Sequence, residues 1–476
     1  RERRLEMSRT VFLLVLLSTV VSMDTPAVEW VKVYSLGSST TKFGFVSEAS
    51  DGGFFITTTQ TDAEPEYAVY KLNNLGEIEW AGRSNLDNQL GTKALELASR
   101  ELIVVGFGRE TPSTSTELLI SKYDSLGTEI WTRLYDSQHY GSEIAFGVTS
   151  LPDGGYAICG RISPSEGKAK AWILRADFQG DTLWTREWGY SGSASAVDLI
   201  YHENSLLVFI QGSTPTTPGG PHLVRYDMDG NLQWEVGIPD WPGTVAPIAQ
   251  AMCEASDDGL LLMDHYWPAI VHTDYLGNPD WTIWPPGADQ PYGYSLSTTM
   301  DGGILYGGEI KGEMGSKNIC GVIARFDSLG NDLWYDNIYE ESCEAIYSAT
   351  QLSQGGYIAA GYAYSASAGN QGFLIKYAPE TGISSPDPST VLSLEASPNP
   401  CSSSLSVSFS LAETGIASVR IFDLSGKLIS TVADGEFPSG SNTVEWSVPE
   451  DISSGCYFIQ YNSDMGSCIE SVVLIN

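Results

Sequence analysis

Histidine, positive charge and long apolar runs are all scarce in this chain, and each scarcity excludes something. There are 5 histidines in 476 residues (His139, His202, His222, His265 and His272), and none stands in HExxH or another metal-ligand spacing. The seven cysteines, Cys159, Cys253, Cys320, Cys343, Cys401, Cys456 and Cys468, include no CxxC and no adjacent pair, so the spacing of zinc sites is missing. No GxSxG elbow and no phosphate-cradling P-loop occur. Against 59 Asp and Glu there are 25 Lys and Arg, a formal net charge of −34. Such a surface repels nucleic acid and anionic membranes, so neither is an expected partner. The longest apolar run, residues 11–21, is too short for a comfortable membrane span, and no other stretch is longer.

What the chain has in quantity is glycine (49), tyrosine (24) and tryptophan (13), a composition of strands and turns rather than disorder. A turn followed by tryptophan recurs through it. The turn glycines are Gly76, Gly127, Gly180, Gly230, Gly277 and Gly330, and four residues after each comes Trp80, Trp131, Trp184, Trp234, Trp281 or Trp334. A seventh copy has Gly382 without a tryptophan. Successive glycines lie 47 to 53 residues apart. A period near 50 in a chain of strands and turns predicts a β-propeller.

A second element lies between the first ones. Turns such as DGGFFI (51–56), DGGYAI (153–158) and DGGILY (301–306) each lead into an apolar strand. Each unit then reads as four short strands, which is one propeller blade. The missing seventh tryptophan is supplied by Trp30, in a segment like the fourth strand of the other units. Residues 28–35 are therefore expected to complete the last blade and close a seven-bladed ring across 28–382, leaving no open edge. The tryptophans are expected to cover the gaps between blades. A cation or imidazole recurs on the third strand at Lys71, Lys122, Arg175, Arg225, His272, Arg325 and Lys376. Asp124, Asp177, Asp227, Asp274 and Asp327 follow two residues later, predicting a local ion pair or turn cap.

Residues 1–22 resemble a secretory signal peptide, with Arg9 before the apolar run. Export permits disulfides, and Cys320–Cys343 and Cys456–Cys468 are candidate pairs. Residues 383–391 are rich in Ser and Pro and read as a linker. Apolar alternation in LSVSFSL, ASVRIFDLSG, NTVEWSV and CYFIQYN then predicts a separate β domain over 392–476, of the size of an immunoglobulin-like sandwich.

Three matches in that domain carry a family resemblance. They are Pro398-Asn399-Pro400, the IFDLSGK turn containing Gly426, and Ser454-Gly455 before Tyr457. Their order resembles the C-terminal sorting domains of the type IX secretion system, which share the immunoglobulin-like fold of a flagellar hook-capping module. The resemblance implies a Gram-negative-type cell, export across its outer membrane by the type IX machinery, and a secreted or cell-surface location. The turn motif itself resembles the docking motif of pyrroloquinoline-quinone-type and kelch-like propellers, D-x-x-x-G-x-x-x-W, with one residue fewer (Asp124, Gly127, Trp131). In that group the motif is structural. The adjacent cysteine pair of the quinone enzymes is missing here, so no quinone cofactor is expected.

No catalytic residue is assigned. DMDGN at 227–231 resembles the start of a calcium loop without its later acidic ligand. The motif reads as one of the equivalent turns, and no cofactor is expected; the acidic surface could attract divalent cations, Ca²⁺ among them. The expected function is a secreted or cell-surface binding or adhesion protein with an extracellular glycan or protein as partner. Tyr140, Tyr190, Trp241, Trp267 and Trp284 are candidate contacts. The alternative is a secreted polysaccharide hydrolase or lyase with carboxylates at the propeller channel.

Overall fold

The computed structural model describes residues 25–36, 40–61, 69–82, 86, 88–109, 116–135, 141–190, 192–213, 219–238, 241, 249–266, 268–285, 292–311, 319–339, 342–380, 394–397, 399, 401, 403–411, 414–423, 428–449, 452, 455–463 and 466–474. It divides into two compact units, Arg1–Glu380 and Thr381–Asn476. Both are built of strands and turns.

The described strands of the first unit form seven four-stranded antiparallel sheets. Six take their strands from one continuous stretch each. The first, for example, runs Thr41–Glu48, Phe54–Thr61, Val69–Leu72 and Ile78–Gly82. The seventh joins Cys343–Gln351, Tyr357–Ser365 and Gly369–Tyr377 to a fourth strand from the other end of the unit, Val28–Tyr34. There Val28 faces Tyr377 and Tyr34 faces Gly372.

The turn before each fourth strand has a local cause. Asp124 accepts the N–H groups of Leu126 (2.9 Å) and Thr128 (2.8 Å), and Gly127 closes the turn at φ +80°. A carboxylate that bonds its own backbone two residues on mimics a backbone turn. Asp177, Asp227, Asp274 and Asp327 make the same bond, and Asn73 makes it in the first sheet.

Successive side chains on a strand point to opposite faces, and here both faces are buried. On the second strand of the second sheet, Val104 packs with Phe55 and Val69 of the first sheet, while Ile103 and Val105 pack with Tyr156 and Ile158 of the third. Comparable cores join third to fourth, fourth to fifth, fifth to sixth and sixth to seventh sheets. Phe43, Phe54 and Ile56 of the first sheet pack with Ile358, Ala360 and Leu374 of the seventh. Each such aliphatic or aromatic side chain contributes roughly 1.5–3 kcal/mol on burial. Near-continuous apolar runs such as Leu206–Ile210, with no polar alternation, follow from this two-sided burial.

In the second unit two sheets share one core. Strands Leu394–Ser397, Ser404–Leu411 and Gly440–Ser447 form one sheet. Strands Leu428–Phe437, Gly415–Asp423, Gly455–Ser463 and Gly466–Leu474 form the other. Leu405, Val407 and Phe409 from the first meet Val419, Ile421, Ile459 and Tyr461 from the second.

Both candidate disulfides are corrected. No disulfide joins Cys320 and Cys343. The Cys343 sulfur packs over Gly321, and Cys320, one residue away, points to the opposite face and a different core. On the last hairpin, Cys456 faces Val473 while Cys468 faces Tyr461. Five residues of strand, about 16 Å, separate the two positions, well beyond disulfide reach.

Candidate functional site

The first strand of every sheet in the first unit breaks its pairing with the second, at one point in five sheets and at two in the first and seventh. One skipped residue in each sheet, in order Gly44, Thr92, Phe146, Val197, Gln250, Tyr294 and Tyr347, has no partner on the second strand, and Glu344 of the seventh sheet is a further one. A bulge leaves the extra residue unpaired and re-aims its side chain. All seven line a single cavity of about 630 Å³, within the usual size range of ligand sites.

Inter-strand seams occupy several hydroxyls of the lining. Thr92 donates to the Ala145 carbonyl of the next sheet (2.7 Å), Ser297 donates to Ala349 (3.2 Å), and Ser348 accepts from Val46 N–H (3.1 Å). The charged residues of the lining are Lys93, Asp198 and Arg161. Lys93 Nζ lies 2.9 Å from Asp198 Oδ1. The two come from the second and fourth sheets and meet over Gly147 of the third, where an added Cβ would stand 3.0 Å from Asp198 Oδ1. Burial disfavours the ammonium, but Asp198 outweighs it and holds the Lys93 pKa above its ordinary value. Burial pushes the Cys159 thiol well up and Cys253 to about 12, so both stay protonated. Arg161 makes no ion pair or hydrogen bond among the described residues.

Tyrosines form one wall. Tyr294 and Tyr347 meet edge to face at 4.7 Å, and Tyr347 stacks on Tyr362 at 5.6 Å. The Tyr294 hydroxyl donates to Glu309 Oε2 (3.0 Å). Lys42 Nζ sits 4.0 Å over the Tyr362 ring, a cation–π geometry. Burial raises the Tyr347 hydroxyl to about 12.

The repeat residues lie elsewhere. Trp30, Trp80, Trp131, Trp184, Trp234, Trp281 and Trp334 all stand on fourth strands, and none lines the cavity. Trp30, Trp80, Trp131 and Trp184 face Gly76, Gly127, Gly180 and Gly230 of the following sheet, each glycine at positive φ. Gly330 is met by Ile283 and Trp281, and Gly277 by Val236 and Ile238, so Trp234 does not cover its neighbour's turn in this way. Trp334 Nε1 donates to Glu380 Oε1 at 2.5 Å.

The recurring cations pair with acids of the turn between first and second strands. The pairs are Lys71–Asp51 (2.9 Å), Lys122–Glu101 (2.9 Å), Arg175–Asp153 (2.5 Å), Arg225–Glu203 (3.7 Å), His272–Asp257 (3.0 Å) and Arg325–Asp301 (2.5 Å). In the seventh sheet that turn carries Gln354, and Lys376 pairs with Glu29 of the N-terminal strand (2.9 Å). The aspartates two residues after the cations are the turn caps.

Tyr190 is 45% exposed and donates to Glu235 (2.8 Å), Trp241 donates to Asp264 (3.1 Å), and Trp284 is 50% exposed. None of the three lines the cavity. Asn399 is exposed, and Gly455 opens the strand to Ser463. Gly382, Pro398, Pro400, Gly426, Tyr140, Trp267, residues 1–22 and the linker 383–391 lie outside the described residues. At 227–231 Asp227 caps its turn, and no group of three or more His, Cys, Asp or Glu is placed to hold a metal ion among the described residues.

Sequence reasoning passed over the cavity residues because it looked for what repeats. The signal that finds them is the converse. The bulge position holds a different residue type in almost every sheet: Gly, Thr, Phe, Val, Gln, then Tyr twice.

An exported protein with a propeller-like body of four-stranded sheets is the class these features define. Residues 396–475 match the family described as secretion system C-terminal sorting domain. The match indicates export by the type IX system to the surface or exterior of a Bacteroidetes-type cell. No helix among the described residues is long and apolar enough to cross a membrane. No curated protein matches the chain. Among solved structures, the chain is similar to a protein of unknown function from Bacteroides caccae, 12% identical over 65% of this chain and 98% of that one, with a TM-score of 0.41. It is also similar to the WD40 domain of Neurospora crassa Pan2, 7% identical over 71% and 90%, with a TM-score of 0.45.

Proposed function

We propose that the protein is a seven-bladed β-propeller, closed by its N-terminal strand and followed by an immunoglobulin-like sorting domain, that binds an extracellular glycan in its central cavity. The observation that carries this reading is the bulge ring. Seven inner strands each break their ladder at a place where the skipped residue lines the same cavity. Bulges are sequence-encoded features and recur beside functional sites. The walls combine aromatic faces with a few amide and hydroxyl groups, the make-up of a small-molecule or sugar site.

Binding is favoured over hydrolysis by a specific observation. The carboxylate of the lining is Asp198, and it is tied to Lys93 at 2.9 Å. Glycoside cleavage by the common mechanism needs two carboxyl groups, one of them free to move a proton. The test is a thermal-shift screen of the full chain against neutral and acidic oligosaccharides and Ca²⁺. A ligand of the folded state raises the melting temperature by mass action. A shift with a glycan that Phe146→Ala and Tyr294→Ala abolish supports the cavity. A shift that survives both substitutions moves the site elsewhere.

A further inference from the structure

The cavity reverses the charge balance of the chain. Acids outnumber bases 59 to 25 overall, yet the lining holds two bases, Lys93 and Arg161, and one acid, Asp198. Lys93 is neutralised by Asp198 at 2.9 Å. Arg161 is left with no acid and no hydrogen-bond acceptor among the described residues. By contrast, the recurring third-strand arginines Arg175, Arg225 and Arg325 each have a carboxylate partner. A guanidinium is always charged and presents paired donors that match a carboxylate two-to-two. One set into a ligand-sized cavity without a partner is a vacancy for such a group.

From this we infer that the cavity selects a saccharide carrying a single carboxylate, a uronate residue, with Arg161 as the residue that recognises it. The inference rests on the cavity being the glycan site. Two further observations narrow the class. The faces of Phe146, Tyr294 and Tyr347 and the amide of Gln250, which has no partner among the described residues, suit the apolar face and hydroxyls of a sugar ring. The net charge of −34 sets the upper limit. A polyanion would be repelled along its length, whereas one carboxylate can be accommodated inside the cavity, beyond the reach of charges screened within about 8–10 Å.

The experiment is calorimetric titration of the full chain with paired disaccharides. Four end in glucuronate, galacturonate, mannuronate or guluronate, and four are their carboxyl-reduced neutral forms. The expected result is that at least one acidic sugar binds and its neutral partner binds about tenfold or more weakly, the loss of one charged hydrogen-bonding pair. Arg161→Gln should bind both forms alike, Arg161→Lys should restore part of the preference, and all three proteins should melt within a degree or two of one another. Equal binding of acidic and neutral sugars, or a preference unchanged in Arg161→Gln, overturns the inference while leaving the glycan site standing. Binding of a peptide through its C-terminal carboxylate, with no sugar bound, overturns both. Absence of binding by all eight sugars at 10 mM, about the weakest affinity the method resolves, also overturns both.

Discussion

An added Cβ on Gly180 would stand 2.8 Å from the indole of Trp131, one sheet back in the chain. Gly180 is also at φ +82°. Gly52 has the same φ but nothing within 4 Å of the added carbon. Strain at a left-handed position costs of the order of 1 kcal/mol, and a displaced ring adds to it. Gly180→Ala is therefore expected to destabilise by about 2–3 kcal/mol and Gly52→Ala by about 1. Urea unfolding of the two variants compares them, and equal losses would show that the indole yields freely.

Arg325 is buried and lies between Asp301 (2.5 Å) and Glu380 (3.9 Å), with Tyr357 Oη at 3.3 Å from Nε. Removing one member of a buried ion pair leaves the other without compensation, at a cost of about 3–5 kcal/mol. Asp301 is half-exposed, so Arg325→Met is expected at the lower end, about 3 kcal/mol. Lys376→Met, whose partner Glu29 is 38% exposed, should cost under about 1 kcal/mol. Chemical denaturation should rank the two in that order.

Lys93→Met and Asp198→Leu each strand a charge in the cavity wall. Each is expected to cost about 2 kcal/mol, and the double variant less than the sum, because the stranded charge is then gone. Additive losses in a double-mutant cycle would mean that the two groups do not interact.

His222 is fully buried, 5.1 Å from the Trp188 ring, with Nδ1 3.0 Å from the Gly220 carbonyl. Burial holds its pKa below 6.5, and the Gly220 carbonyl and Glu235 only partly oppose this. The unfolded chain takes up a proton near pH 6.5, which the folded chain refuses until lower pH. The stability contributed by neutral His222 is thus complete above pH 6.5 and is lost as pH falls through the range below it. His222→Leu should melt lower at pH 7.5 but show a shallower decline between pH 6.5 and 5. Parallel melting curves of wild type and variant across that range would rule this out.

The chain declares its strands more openly than its site. Turn chemistry is legible because Asp124 and Gly127, and their counterparts, answer the same geometric demand in sheet after sheet. The all-β class and the four-strand unit follow from that repetition. The pairing of the third-strand cations is less legible. Lys71 reaches Asp51, twenty residues back and across the intervening strand Phe54–Thr61, while sequence proximity pointed to the neighbouring turn. The cavity is least legible, since a bulge is a matter of register between two strands. Nothing in the identity of Phe146 or Gln250 announces that it has lost its partner.

The strand Val28–Tyr34 gives the fold a timetable. Its partner, Gly369–Tyr377, lies about 350 residues later. At roughly 5–20 residues per second of synthesis, the first strand waits roughly 20 to 70 s before the strand it must join has been made. The last sheet can form only after nearly the whole body is translated, just as the sorting segment begins to appear. Strands Val28–Tyr34 and Gly369–Tyr377 act as a clasp that cannot fasten until the strands between them have been made.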